Sequence, residues 1–209
     1  PSRGLGDVYK RQDLNYELVN LFPSTVHIFK INGFDEVRGN LIDYAYEVKR
    51  SQSDGNIISN RGGWQSSSFQ VKNEDDILHS LIINSLASFP NIKESYDMFV
   101  DAWININPTG SYNVKHNHPT SDLAGVLWIK CSENCGDIVF DNPNNFKEFN
   151  TINSYEEQFK DNNRIYHTYC FPPVEGKILI FPSHIDHNVE ENKSNEDRIS
   201  VSFNIRLRE

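Results

Sequence analysis

The sequence predicts a mainly β chain of the α+β class, with helices first and an antiparallel sandwich or barrel after them. Two observations carry this. Up to about residue 90, apolar residues recur at helical spacing, i, i+3, i+4, i+7. From Tyr96 onward, short runs rich in β-branched and aromatic residues are separated by clusters of Pro, Asn, Gly and Asp. A third observation sets the scale. The 209 residues are 37% hydrophobic and 12% aromatic, a globular composition long enough for one domain with a real core.

In chain order, Ser2 to Gln12 reads Ser-Arg-Gly-Leu-Gly-Asp-Val-Tyr-Lys-Arg-Gln. With suitable codons this back-translates into a transposase-tagged sequencing adapter running into its mosaic end. Residues 1–12 are therefore set aside as a non-native assembly scar. Residues 13–209 are expected to form a single domain, with 13–95 as helical support and 96–209 as the β core. Val26–Ile31 alternates and predicts a strand. Phe34–Lys49 carries Val37, Leu41, Tyr44, Ala45 and Val48 on one stripe and predicts a helix. Residues 50–72 are rich in Ser, Gly, Asn and Gln and predict a long loop. Asn73 is placed to cap the next helix, with Glu74, Asp75 and Asp76 favouring its positive N-terminus. Leu78, Leu81, Ile82, Leu86 and Phe89 form its apolar face, and Pro90 marks its end. Strands are then predicted at Met98–Asn107, Gly125–Cys131, Asp137–Asn142, Lys177–Pro182 and Ile199–Leu207. Residues 143–173 are a polar, aromatic-spotted excursion of the kind that serves as a substrate loop or lid.

Composition narrows the function classes. A net charge of −9 disfavours a protein that grips nucleic acid through its phosphates. The three cysteines, Cys131, Cys135 and Cys170, are too few and too odd in number for a disulfide scaffold and fit a reducing compartment. Cys131 and Cys135 lack the second Cys or His pair that would complete a zinc site. No apolar run approaches the ~18 residues of a membrane span, and no signal-peptide core follows the N-terminus. The expectation is a soluble, cytoplasmic protein.

Three of the seven histidines stand out. His116 and His118 flank one residue in Asn113-Val-Lys-His-Asn-His-Pro119, and residues two apart on a strand share a face. His187 follows the apolar run Lys177–Phe181, and a rolled sheet can bring it beside that pair. Three imidazoles on one face of an octahedron leave positions open for other ligands. His27, His79 and His167 are read as ordinary histidines, and His184 is ambiguous, being three residues from His187.

Together with Leu21-Phe-Pro23, the stretch His116-Asn-His-Pro-Thr-Ser-Asp-Leu-Ala-Gly-Val126, Phe181-Pro-Ser183 and Arg198-Ile-Ser-Val-Ser-Phe-Asn204, these residues resemble the iron(II)/2-oxoglutarate-dependent oxygenase superfamily. The similarity is to a phage and bacterial branch with a His-x-His-Pro motif, and it spans nearly all of the chain after the adapter-like segment. Asn105 and Gly110 also fit the Asn-x-Tyr-x-x-Gly spacing of the nucleobase-repair branch, with Asn107 in place of the Tyr. The resemblance implies a double-stranded β-helix, or jelly roll, with the N-terminal helices packed on one face. It implies iron(II) held by His116, His118 and His187, with 2-oxoglutarate as cosubstrate. Arg198 and Ser200 would hold the far carboxylate of 2-oxoglutarate, with Asn105 and Asn204 as further cosubstrate contacts. Trp103, Trp128 and Tyr166 would line the pocket. The implied reaction consumes dioxygen and hydroxylates, or oxidatively demethylates, a small-molecule or protein substrate in the cytoplasm of a bacterium or a phage-infected host.

One departure matters. The wider superfamily has His-x-Asp or His-x-Glu, and here the second position is His118, with Asp122 as a fallback carboxylate. Two alternatives stay open at this point. Gly110 with His116-x-His118, and Gly176 with Pro182 and His187, match the two halves of a cupin motif. Such a metalloenzyme would not use 2-oxoglutarate. The other is a metal-free jelly-roll binding or structural module.

Overall fold

The computed structural model describes residues 17–72, 76–89, 92–144 and 151–209. The adapter-like segment, Asn73 to Asp75 and Pro90 lie outside the described residues.

The strand β1 (His27–Lys30) leads into helix α1 (Phe34–Ser51). Gly33 starts this helix in a left-handed conformation (φ 69°), which glycine adopts without penalty. Asp35 and Glu36 lie in its first turn and Lys49 and Arg50 in its last, each opposite in sign to the nearby helix pole. Phe34, Leu41 and Ala45 are its buried stripe. Three two-residue strands follow: β2 (Asn60–Arg61), β3 (Trp64–Gln65) and β4 (Phe69–Gln70). The sequence reads 50–72 as a loop because pairs this short carry no periodicity. Their order comes from a buried side chain instead. Asn60 Nδ2 donates to the carbonyls of Asn56 (2.9 Å) and Gly63 (2.9 Å), and its Oδ1 accepts from Ile58 N (2.8 Å). Helix α2 (Ile77–Ala87) is capped by Asp76, whose carboxylate accepts from His79 N at 3.1 Å. The cap is thus three residues later than the expected Asn73.

The β core comprises β5 (Asp97–Asn107), β6 (Tyr112–His116), β7 (Leu123–Lys130), β8 (Ile138–Asp141), β9 (Thr168–Phe171), β10 (Lys177–Pro182), β11 (His187–Val189) and β12 (Arg198–Arg208). A short helix, α3 (Glu157–Asn163), lies in the excursion between β8 and β9. All strand pairings are antiparallel. The larger sheet has the order β1-β10-β7-β12-β5-β3, with β4 also pairing with β5; the smaller has the order β2-β6-β11-β8-β9. The mainly β double-stranded β-helix with helices against one sheet is therefore the observed fold.

Period-two alternation divides the larger sheet's side chains between two surfaces. On β12, Ile199, Val201, Phe203 and Ile205 join Phe34, Leu41, Ala45, Leu78 and Ile82 in the core under the helices. Arg198, Ser200 and Ser202 face the cavity on the other side. On β5, Ala102, Ile104 and Ile106 belong to the core, whereas Trp103, Asn105 and Asn107 face the cavity. A second cluster of Ala124, Val126, Trp128, Ile138, Phe140, Leu179, Phe181 and Ile185 contains residues of both sheets. Gly125 is required by close packing: a Cβ there would lie 2.3 Å from Phe203 Cζ and 2.9 Å from the Leu179 carbonyl oxygen.

Candidate metal centre

His116 ends β6 and His187 begins β11, and the two are direct partners across that antiparallel pair. Their ring centroids are 4.4 Å apart. This register brings together residues 71 positions apart in sequence, which spacing alone does not reveal. His118 lies just past the end of β6, so the same-face argument for a continuous strand does not place it. A turn does. His118 N donates to Ser183 O (2.9 Å), and Ser121 N donates to His118 O (3.1 Å). Ser183, from the Phe-Pro-Ser motif, also donates its hydroxyl to Ser121 O. The His118 ring then lies 5.1 Å from that of His116 and 5.2 Å from that of His187. One donor atom from each of the three histidines falls within 4.8 Å of the others.

Two of the rings are held in one tautomer. His116 Nδ1 is 2.7 Å from Val114 O and His187 Nδ1 is 2.9 Å from Ile185 O. A carbonyl can only accept, so each Nδ1 carries the proton and each Nε2 keeps a free lone pair. Burial lowers the pKa of all three rings, to about 3 for His118 and about 4 for His187. Phe140 and Phe181 pack against His187, with ring centroids 5.7 and 4.9 Å away. The centre is thus a set of neutral imidazoles, the protonation state in which histidine binds a metal. This donor set suits iron and other imidazole-binding divalent ions, and three facial ligands leave three positions free. Asp122 is not part of it: its Oδ2 accepts from Leu207 N (2.7 Å), at the end of β12.

The same cavity is lined by Ser59, Trp103, Asn105, Asn107, Asn113, Trp128, Arg198, Ser200 and Ser202. Arg198 is 2% exposed. Its Nη1 donates to Cys135 O, Gly136 O (3.1 Å) and Glu190 O (3.5 Å). Among the described residues no carboxylate forms an ion pair with it, and burial lowers its pKa. A buried guanidinium without an anion is costly, and an anionic ligand would offset that cost. Ser200 lies beside it on the same strand face, and Asn105 Nδ2 donates to Ser202 Oγ (3.0 Å).

The structure therefore brings His116, His118, His187, Arg198, Ser200, Asn105, Trp103 and Trp128 to one cavity. It leaves out two expected residues. Tyr166 donates its hydroxyl to Asp161 (2.5 Å) in the excursion after α3. Asn204 lies opposite Ala124 and Asp101, further along β12 than Ser202 and outside the cavity wall. Asn113, Ser59 and Ser202 are cavity residues that the sequence reading did not single out, and Asn107, noted there only as a replacement for a motif Tyr, is another. Asn107 and Ser202 had a signal, the alternation with Asn105 and Ser200. Ser59 had none, since it enters from the 50–72 segment.

Residues 101–204, about half of the chain, match the family model described as "Putative 2OG-Fe(II) oxygenase". No curated protein matches. Among solved structures, a prolyl-4-hydroxylase from Pseudomonas putida is similar at TM-score 0.59 and 12% identity, covering 88% of this chain and 93% of that one. A Trichoplax adhaerens prolyl hydroxylase, in complex with a hypoxia inducible factor oxygen degradation domain peptide, is similar at TM-score 0.55 and 14% identity (87% and 83% covered). The non-heme alpha ketoglutarate dependent carbocyclase SnoK from nogalamycin biosynthesis follows at 0.56 and 9% (87% and 79% covered). At these identities the likeness is one of fold.

Proposed function

The chain belongs to the 2OG-Fe(II) oxygenases, an oxidoreductase family using iron(II), 2-oxoglutarate and dioxygen, and on that premise we propose that His116, His118 and His187 hold the iron and that the enzyme hydroxylates, or oxidatively demethylates, its substrate. The observation that carries this reading is the cross-strand pairing of His116 with His187, both with Nε2 free and His118 alongside. When bound, the iron supplies dioxygen activation coupled to decarboxylation of 2-oxoglutarate to succinate.

The remaining work falls to the protein. The Val114 and Ile185 carbonyls hold the imidazole tautomers. Arg198 and Ser200 anchor the far carboxylate of 2-oxoglutarate, which directs the 2-oxo acid end toward the histidines. Phe140, Phe181, Trp103 and Trp128 keep bulk water from the reacting centre. With His118 instead of a carboxylate, the protein ligands bring no negative charge. The centre is one unit more positive than a His-x-Asp site would be, which favours anionic ligands.

The test is turnover of 2-oxoglutarate to succinate in the presence of iron(II) and dioxygen. Succinate formation that stops without iron and in His187→Ala supports the reading. An iron-loaded wild type that forms no succinate, with or without candidate substrates, contradicts it.

A further inference from the structure

Cys131 and Cys135 flank the turn between β7 and β8 and take no part in the metal centre. Cys135 N donates to Ser132 O (3.3 Å) across that turn, and Lys193 N donates to Asn134 O (3.0 Å). Neither cysteine is in a disulfide, and the two side chains hydrogen-bond to each other. Cys135 is 1% exposed and Cys131 is half-buried, so Cys131 is the sulfur that a small solute meets first.

The turn is built against Arg198. Arg198 Nη1 donates to Cys135 O and to Gly136 O (3.1 Å). Gly136 has a φ of 92°, and a Cβ there would lie 2.4 Å from Glu190 O and 2.9 Å from Arg198 Nη1. Only glycine lets the turn approach the guanidinium this closely. The hydrogen bond from Cys131 holds the Cys135 thiol down at about 6 against its burial, and the Ser132 backbone and the Arg198 charge act in the same direction. The two sulfurs therefore share one proton at neutral pH and carry one negative charge beside Arg198. Two thiols in contact, with one proton between them, are the reactants of disulfide formation. In a reducing compartment such a bond is transient rather than structural.

We propose that Cys131 and Cys135 form a reversible disulfide on exposure to a peroxide, and that this releases Arg198 from a competing negative charge and strengthens binding of the anionic cosubstrate. The second half rests on the cosubstrate reading above. In the first step a thiolate sulfur attacks the peroxide: an S–O bond forms, the O–O bond breaks, and the leaving hydroxide takes up a proton as water. In the second step the other sulfur attacks the sulfenic sulfur. The S–S bond forms, the S–O bond breaks, and the departing hydroxide leaves as water with the remaining thiol proton. The two thiols lose two electrons and two protons, and hydrogen peroxide is reduced to two waters.

The test starts with metal-free protein treated with hydrogen peroxide, desalted and mapped by mass spectrometry. Half is then reduced with a dithiol and desalted again. Both forms are loaded with iron(II) without oxygen, and 2-oxoglutarate binding is measured by calorimetry. The expected results are a Cys131–Cys135 crosslink that the dithiol removes, and binding roughly tenfold tighter in the oxidised form, from loss of one charge near the guanidinium. Cys135→Ser removes that charge without oxidation and should bind 2-oxoglutarate as tightly as oxidised wild type. Oxidation confined to Cys170, which is exposed on β9, overturns the disulfide. A crosslink with unchanged or weaker binding overturns the link to Arg198, and wild type alone decides this if Cys135→Ser does not fold. Protein that binds no 2-oxoglutarate in either form overturns the cosubstrate reading, while the crosslink map still decides the disulfide.

Discussion

Acidifying the metal-free protein from pH 7 to pH 5 should destabilise it through the metal centre itself. Burial holds His118 at about 3 and His187 at about 4, against an ordinary value of 6.5, and lowers His116 in the same sense. A base whose folded pKa lies below its unfolded value binds fewer protons when folded. Stability is therefore full above 6.5 and is lost as the pH falls toward the folded values. At pH 5, His118 and His187 are still neutral in the folded protein but charged in the unfolded chain. Each then costs about 2 kcal/mol, from roughly 1.5 pH units at about 1.36 kcal/mol per unit. The two together cost about 4 kcal/mol, with His116 adding in the same direction. The magnitude depends little on the folded values, because both lie below the pH of measurement. Urea unfolding of chelator-treated protein at pH 7, 6 and 5 measures the loss. Wild type is compared with His118→Leu and His187→Leu, each of which should lose about 2 kcal/mol less than wild type over this range. Equal losses in wild type and both variants would refute the argument that the buried imidazoles carry the effect.

Three further outcomes follow from the packing and the ligand set. Asp122→Ala removes the acceptor of Leu207 N, a solvent-exposed hydrogen bond, and should cost about 0.5–1.5 kcal/mol by thermal unfolding. Metal stoichiometry should stay unchanged, and a loss of bound iron would return Asp122 to the ligand set. Gly125→Ala drives a methyl into Phe203 and the Leu179 carbonyl oxygen and should destabilise by about 1–3 kcal/mol or more; a neutral result would show that Phe203 can move. His118→Asp supplies the carboxylate that the wider superfamily carries and should keep one iron per chain by elemental analysis. Loss of iron would mean that the turn held by Ser183 fits only an imidazole.

The long elements were legible because each carries many periods of its pattern. The strands Asp97–Asn107 and Arg198–Arg208, with eleven residues apiece, place an apolar residue at every second position (Met98 to Ile106, Ile199 to Leu207), and Lys177–Pro182 matches its expected bounds. The α1 stripe at Leu41 and Ala45 also lies where the 3.6-residue period puts it. The four-residue strands β1 and β8 fall inside expected strands, whereas the two- and three-residue strands β2, β3, β4 and β11 were not legible, since they take their order from pairing and from buried side chains such as Asn60. At the candidate site, residue types singled out the three histidines and Arg198, because few other chemistries ask for them. Their assembly depends on register, the His116–His187 pair above all, and register is a property of two distant segments. The same limit explains Tyr166 and Asn204. Both have suitable chemistry, and only the path of the chain shows that they face elsewhere. Asn107 was visible as a departure from a motif, but its place in the cavity wall depends on the strand pairing around it.

The most direct test of the central claim is the visible metal-to-ligand charge-transfer band that forms when a 2-oxo acid chelates iron(II). It would be recorded without oxygen for wild type, His187→Ala and Arg198→Ala. The expected result is a band in wild type, its loss in His187→Ala, and a need for much more 2-oxoglutarate to reach it in Arg198→Ala. Iron bound by wild type with no band at any 2-oxoglutarate concentration would contradict it.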